Sequence, residues 1–270
     1  MDFIQVDNLV KQYGDSPATV TAVRGISFAM QRGEFISIMG ESGSGKSTLL
    51  SMMGALNSPT SGKYLVEGID IYNLGQEERA DFRRKSLGFV FQSFHLIPYL
   101  TVLENVLLPF AAGKEKRAKK RALAEEALIR VGLAEKGDRL PAQISGGEQE
   151  RVAIARAIVN HPSILFADEP TGNLDSKTTR EIMDLLKHLN EEGMTTLMVT
   201  HNPECAYYAG RTLRLSDGFL IEDEDRRREG GNGRSLGEIR ARVSRAETLG
   251  PFPAVHGRFS RSMPREAEER

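Results

Sequence analysis

The chain has 270 residues, 40% of them hydrophobic, which suits one large domain or a domain with an inserted subdomain and excludes a disordered chain. Lys and Arg number 36 against 37 Asp and Glu, a formal net charge of -1, so no bulk field favours nucleic acid or an anionic membrane. No apolar run approaches the roughly 18 residues that span a bilayer, Met1-Asp2-Phe3-Ile4 opens without a basic and apolar leader pattern, and the lone Cys205 excludes an intrachain disulfide, so a cytoplasmic chain is expected.

Residues 3–11 and 20–30 are rich in apolar and β-branched side chains and predict two strands forming an N-terminal β region. Tyr13-Gly14 and Ser16-Pro17 mark the loop between them. Two readings of Tyr13 stand: an exposed ring that stacks on a base, or a core or edge tyrosine.

Residues 35–39 form an apolar strand pattern, and 46–56 a helical one. Between them Gly40-Glu41-Ser42-Gly43-Ser44-Gly45-Lys46-Ser47-Thr48 fits the phosphate-loop pattern G-x-x-x-x-G-K-[ST] at every fixed position. Strand, glycine loop and helix in that order make a phosphate cradle, because glycines let successive N–H groups turn inward and the helix N-terminus adds partial positive charge. Lys46 is then placed to reach the β- and γ-phosphates, Ser47 to offer its hydroxyl to Mg²⁺, and Thr48 to support the α-phosphate.

After the break at Ser58-Pro59-Thr60-Ser61-Gly62, residues 63–66 and 69–72 read as short strands and 76–85 as a charged helix. Residues 87–91 predict a strand that ends at Gln92. Ligands collect at the carboxyl ends of strands in open α/β sheets, which sets Gln92 beside the cradle; a loop amide capping a backbone group is the alternative. Helices are predicted over 103–111 and 115–131, the second basic at Lys114, Lys116, Arg117, Lys119, Lys120 and Arg121. No aromatic residue is interleaved there, so the run reads as a solvated face and no nucleic-acid partner is expected.

Ser145-Gly146-Gly147 introduces a helix over 148–160, and reads either as a second anion site at a helix start or as a simple cap and turn. Residues 164–169 are an apolar strand ending in Asp168-Glu169. Asp168 holds the expected place of a Mg²⁺-organising carboxylate, and Glu169 can turn to polarise an attacking water; a pair that caps the next helix is the other reading. An amphipathic helix over 175–192, capped by Asp175 or Ser176, precedes a buried strand over 195–199 that ends at Thr200-His201. His201 is the third polar residue to follow a buried strand, after Gln92 and Asp168-Glu169, which favours a functional role; a satisfied structural histidine is the other reading. Residues 211–215 and 219–221 form a hairpin pattern around Asp217-Gly218.

The order predicts an α/β fold: a phosphate-loop core with a mostly parallel sheet covered on both faces, an N-terminal antiparallel β region, and an inserted helical subdomain at about 93–160. The core spans 1–222, and 223–270 is an Arg-rich, Lys-free extension in which 235–248 suits one helix and 250–270 reads as disordered.

From Phe3 to about Glu222 the set resembles the ATP-binding cassette of ABC transporters. The resemblance is carried by Ile144-Ser145-Gly146-Gly147-Glu148-Gln149-Glu150-Arg151-Val152-Ala153-Ile154-Ala155-Arg156-Ala157 and by Ile164-Leu165-Phe166-Ala167-Asp168-Glu169-Pro170-Thr171-Gly172-Asn173-Leu174-Asp175. It implies that Tyr13 stacks on adenine, Gln92 touches Mg²⁺ and the coupling surface, Glu169 is the general base and His201 contacts the γ-phosphate of ATP. The segments 88–98, 101–106 and 170–177 resemble the macrolide-export and lipoprotein-release branch. The signature commonly reads Leu-Ser-Gly-Gly-Gln, whereas Ile144 and Glu148 stand at its first and last positions here.

The resemblance further implies a head-to-tail homodimer in which Ser145, Gly146 and Gly147 of one copy close over ATP held by Lys46 of the other. It implies an integral membrane permease as a second partner, with the chain on the inner face of the cell membrane. The expected function is ATP hydrolysis that powers export or extraction. The alternative is a cassette driving transmembrane signalling or activation of a cell-wall hydrolase. A soluble repair or translation ATPase is disfavoured, because such proteins usually carry paired cassettes or a long coiled-coil insertion.

Overall fold

The computed structural model describes residues 2–14, 18–111 and 116–226. Strands β1 (Ile4–Tyr13) and β2 (Val20–Met30) pair antiparallel, and β3 (Phe35–Met39), buried along its whole length, runs into the glycine loop and α1 (Lys46–Met53). Strand β4 (Ser61–Val66) lies on the other side of β1, and β5 (Ile69–Asp70) completes a four-stranded sheet in the order β2-β1-β4-β5. Helix α2 (Gln76–Ser86) leads into β6 (Leu87–Phe91). Three helices follow, α3 (Val102–Leu107), α4 (Arg117–Arg130) and α5 (Gly146–Ile158). The chain closes with β7 (Ile164–Asp168), α6 (Ser176–Glu191), β8 (Thr195–Val199), α7 (Pro203–Ala206), β9 (Arg211–Ser216) and β10 (Phe219–Asp225). The second sheet is six-stranded in the order β10-β9-β3-β8-β7-β6, parallel except for the β9–β10 hairpin.

The parallel strands read as continuous apolar runs because both of their faces are covered. Side chains alternate between faces, and two cores result. Ile36, Ile38, Phe166, Leu197 and Val199 join α1 and the antiparallel sheet, while Leu165, Ala167 and Met198 join α3, α4, α5 and α6. The predicted fold class holds, including the N-terminal antiparallel region. Among the described residues of 93–160 there is no strand, α3 to α5 pack on one another, and α5 packs on β6.

Local departures have local causes. Tyr13 is the last residue of β1, paired with Val20, and not part of the following loop. Residues 69–72 do not stay extended, because the Asp70 carboxylate accepts the Tyr72 N–H at 3.1 Å and starts a 3₁₀ turn at Ile71–Asn73. The helix predicted over 103–111 stops at Leu107 and continues as a 3₁₀ turn, Leu108–Phe110, since Pro109 has no N–H for the α ladder. The helix predicted over 46–56 ends at Met53, where the Gly54 N–H bonds back to the Leu50 and Met52 carbonyls. Strand β10 runs on to Asp225, past Glu222. The turn at Ser16-Pro17, Lys114 in the basic run, the helix expected over 235–248 and the disorder expected over 250–270 lie outside the described residues.

Candidate active site

The register of the parallel sheet gathers the candidate residues. Ile38 pairs with Val199, Val199 with Asp168, and Asp168 with Phe91, so four strands end within one residue of one level. The next residues in each, Met39, Thr200, Glu169 and Gln92, form one row along the carboxyl edge, with Gly40 and His201 one step beyond. Ligands bind at such an edge in open α/β sheets.

The glycine loop is gripped from two sides. A Cβ on Gly45, at φ 96°, would run into the Ala22 carbonyl of β2, and one on Gly40 would run into the Leu215 carbonyl of β9. The Gly218 N–H, in the β9–β10 turn, donates to the Ser44 carbonyl at 3.2 Å. Lys46 is buried, and its Nζ donates to the carbonyls of Gly40 and Glu41 at 2.7 Å each. Ser44 Oγ is buried inside the loop with no partner among the described residues, which leaves a hydroxyl donor for an anion. Glu41, Ser42, Gly43 and Ser47 are exposed along the loop, and Thr48 is half-buried.

Ser47 Oγ donates to Asp168 Oδ1 at 3.3 Å, tying α1 to the end of β7. Burial pushes the Asp168 carboxyl up, the Ser47 hydrogen bond pulls it back, and the neighbouring Glu169 charge adds to the rise. A hydroxyl and a buried carboxylate converging in this way fit a hard cation such as Mg²⁺, which takes oxygen ligands and keeps several waters.

Glu169 has left-handed backbone, φ 49°, and its N–H donates to the Val199 carbonyl at 3.0 Å. That turn brings its carboxylate back over the sheet edge, where both oxygens lie about 3 Å from His201 Nδ1, at 3.0 and 2.9 Å. The Gln92 side chain leans on the loop after β7: a Cβ on Gly172 would lie 3.1 Å from Gln92 Nε2. The Gln92 backbone carbonyl accepts from Asn173 Nδ2 at 2.9 Å.

Tyr13 is 43% exposed, with Lys11 Nζ 5.0 Å from its ring centroid and Asn57 Nδ2 at 2.5 Å from its hydroxyl. It faces Val20, two residues before the Ala22 carbonyl that abuts Gly45.

Ser145, Gly146 and Gly147 stand apart from this row. Ser145 caps α5 in a reciprocal box with Glu148, and a Cβ on Gly147 would run into Thr178 of α6. The Glu148 carboxyl is held below its ordinary range by the Ser145 backbone N–H, with help from the Ser145 hydroxyl and Lys136.

Sequence reasoning missed Arg156. Its guanidinium donates to the carbonyls of Phe94 and His95 at 2.6 and 2.5 Å and so holds the loop after Gln92, where both residues have φ 49°. Those bonds join positions more than sixty apart in sequence, so no local pattern announces them.

A family model described as ABC transporter matches residues 23–172, a span that runs from β2 through the glycine loop to the Glu169 turn. The chain belongs to the ABC transporter cassette family. It is 47% identical over 221 residues to the lipoprotein-releasing system ATP-binding protein LolD of Geobacter metallireducens, covering 82% of this chain and 98% of that protein. It is 46% identical to the macrolide export ATP-binding/permease protein MacB of Syntrophobacter fumaroxidans over 83% of this chain, which spans only 32% of that longer protein. Among solved structures, the cassette MJ0796, dimeric in a post-hydrolysis state bound to ADP and Pi, superposes with a TM-score of 0.76 at 42% identity, over 83% of this chain and 98% of that one. The chain is therefore an ATPase cassette of the transporter type. Among the described residues no helix is long and apolar enough to cross a membrane.

Proposed function

We propose that the chain binds and hydrolyses ATP as one half of a head-to-tail pair of cassettes and powers a separate membrane permease for export or extraction. The observation that carries this reading is the single row of strand ends that combines the Lys46 cradle, the Ser47–Asp168 pair and the Glu169–His201 pair. Lys46 leaves the Gly40 and Glu41 carbonyls for the β- and γ-phosphates, while the N–H groups of 40–48 and the Ser44 hydroxyl cradle the other phosphate oxygens. Tyr13 stacks on the adenine ring once its contacts with Lys11 and Asn57 loosen.

Ser47, Asp168 and Gln92 would hold Mg²⁺, which when bound would supply positive charge against that developing on the phosphate oxygens. Glu169 takes the proton of the water that attacks the γ-phosphoryl group. His201 fixes the Glu169 carboxylate through Nδ1 and turns its other edge to the γ-phosphate. Ser145, Gly146 and Gly147 of the second copy complete the site, the start of α5 offering its N–H groups to the γ-phosphate.

The LolD and MacB relatives support a permease partner and a position on the inner face of the cell membrane. Residues 93–160 act as the inserted helical subdomain, and Arg156 carries its movement into the loop after Gln92 toward the permease.

The test is capture of the tagged full chain carrying Glu169→Gln, loaded with ATP, from detergent-solubilised membranes. A stoichiometric integral membrane subunit released on ATP removal is the expected result. Recovery of ribosomal or repair proteins without a membrane subunit would overturn the transport reading.

A further inference from the structure

Ser145 has one hydroxyl proton, and it is donated in a hydrogen bond to Glu148. Glu148 Oε2 accepts the Ser145 hydroxyl at 3.1 Å and the Ser145 backbone N–H at 2.8 Å, while the Glu148 N–H donates back to Ser145 Oγ at 3.3 Å. The second carboxylate oxygen, Oε1, lies 3.5 Å from Lys136 Nζ. A hydroxyl donates once, so a Ser145 engaged in this way turns only lone pairs outward. Lone pairs backed by a carboxylate repel an anion. The carboxylate cannot release the proton by flipping, because both of its oxygens accept and neither donates. A neutral amide oxygen in the same place keeps the Ser145 N–H but accepts the hydroxyl more weakly than a carboxylate does, and so gives up the proton more readily.

We propose that Glu148 is a positioning residue that competes with the partner copy's ATP γ-phosphate for the Ser145 hydroxyl proton, and thereby sets the ATP concentration at which two cassettes close. Lys136 weakens this competition by drawing on the same carboxylate. The Glu148 and Lys136 side chains are 28% and 44% exposed, so the arrangement sits at an accessible surface where a phosphate can reach it. The inference rests on the reading that Ser145 completes the partner's site. A carboxylate that served only as a helix cap would stabilise α5 without altering how closure responds to nucleotide.

The experiment titrates the full-length Glu169→Gln chain with ATP and Mg²⁺ and reads the monomer–dimer midpoint by light scattering. Adding Glu148→Gln is expected to lower that midpoint about tenfold, the effect of one charge-assisted hydrogen bond. Nucleotide affinity of the dilute monomer should stay where it was. Adding Ser145→Ala should raise the midpoint, and Glu148→Gln on top of it should then bring no gain, because no proton remains to be freed. As an independent arm, Lys136→Gln should raise the midpoint when Glu148 is present and leave it unchanged after Glu148→Gln. If Ser145→Ala weakens closure while Glu148→Gln and Lys136→Gln leave the midpoint alone, the role given to Glu148 is wrong and the composite site stands. If Ser145→Ala has no effect, the composite site falls and this inference with it.

Discussion

A single atom, His201 Nδ1, faces both carboxylate oxygens of Glu169, at 3.0 and 2.9 Å. The contact depends on the left-handed backbone of Glu169, which turns a side chain at the end of a buried strand back over the sheet edge. A non-glycine residue is held in that region only where its surroundings over-determine it, and such positions cluster at working sites.

The amide in Glu169→Gln keeps the shape but cannot accept a proton. Hydrolysis is expected to slow on the order of 10² to 10⁴ fold while ATP binding persists. Phosphate release measured beside nucleotide affinity checks this, and a wild-type rate would remove Glu169 from the base role.

Gly45 sits at a tight point of the cradle, with φ 96° and the Ala22 carbonyl where a Cβ would stand. Gly45→Ala must displace either the loop or β2. A loss of about 1–3 kcal/mol of stability is expected, together with loss of ATP binding. Thermal melts with and without nucleotide read both effects.

Glu150 carries a pH signature of its own. It is fully buried on α5, both of its oxygens lack a hydrogen-bond partner among the described residues, and burial pushes its carboxyl up to about 8 against the pull of the Arg156 charge. The unfolded chain gives up this proton near pH 4.5, whereas the folded chain keeps it to about pH 8. Its contribution to stability therefore falls as pH rises across that window and levels off above it. Glu150→Gln removes the titration, so the variant should gain melting temperature relative to wild type between pH 5 and 8, with a constant difference above. A difference independent of pH would show that the carboxyl is already ionised in the folded protein.

Much of this was legible in the chain. Three apolar runs, 35–39, 164–168 and 195–199, became the three central parallel strands, because strands covered on both faces leave no ambiguity of period. Gln92, Glu169 and His201 could be placed at one edge from sequence, since each follows such a run. Glu150 was also within reach of periodicity: it lies four before Ile154 and eight before Ile158, on the apolar stripe of α5, and its charge masked the position. Arg156 was not, because its partners are loop carbonyls fixed by tertiary structure. The Ser145–Glu148 box has the spacing of a capping pair, but only the folded geometry shows that the hydroxyl proton itself is engaged.

The central claim is that each ATP site takes Lys46 from one copy and Ser145 from the other. Chains carrying Lys46→Ala alone and Ser145→Ala alone should each be inactive in hydrolysis. Mixed in equal amounts, they form pairs in which one of the two sites is intact. Hydrolysis should then recover to on the order of a quarter of the wild-type rate if copies exchange at random. A mixture as inactive as either parent would contradict the shared site.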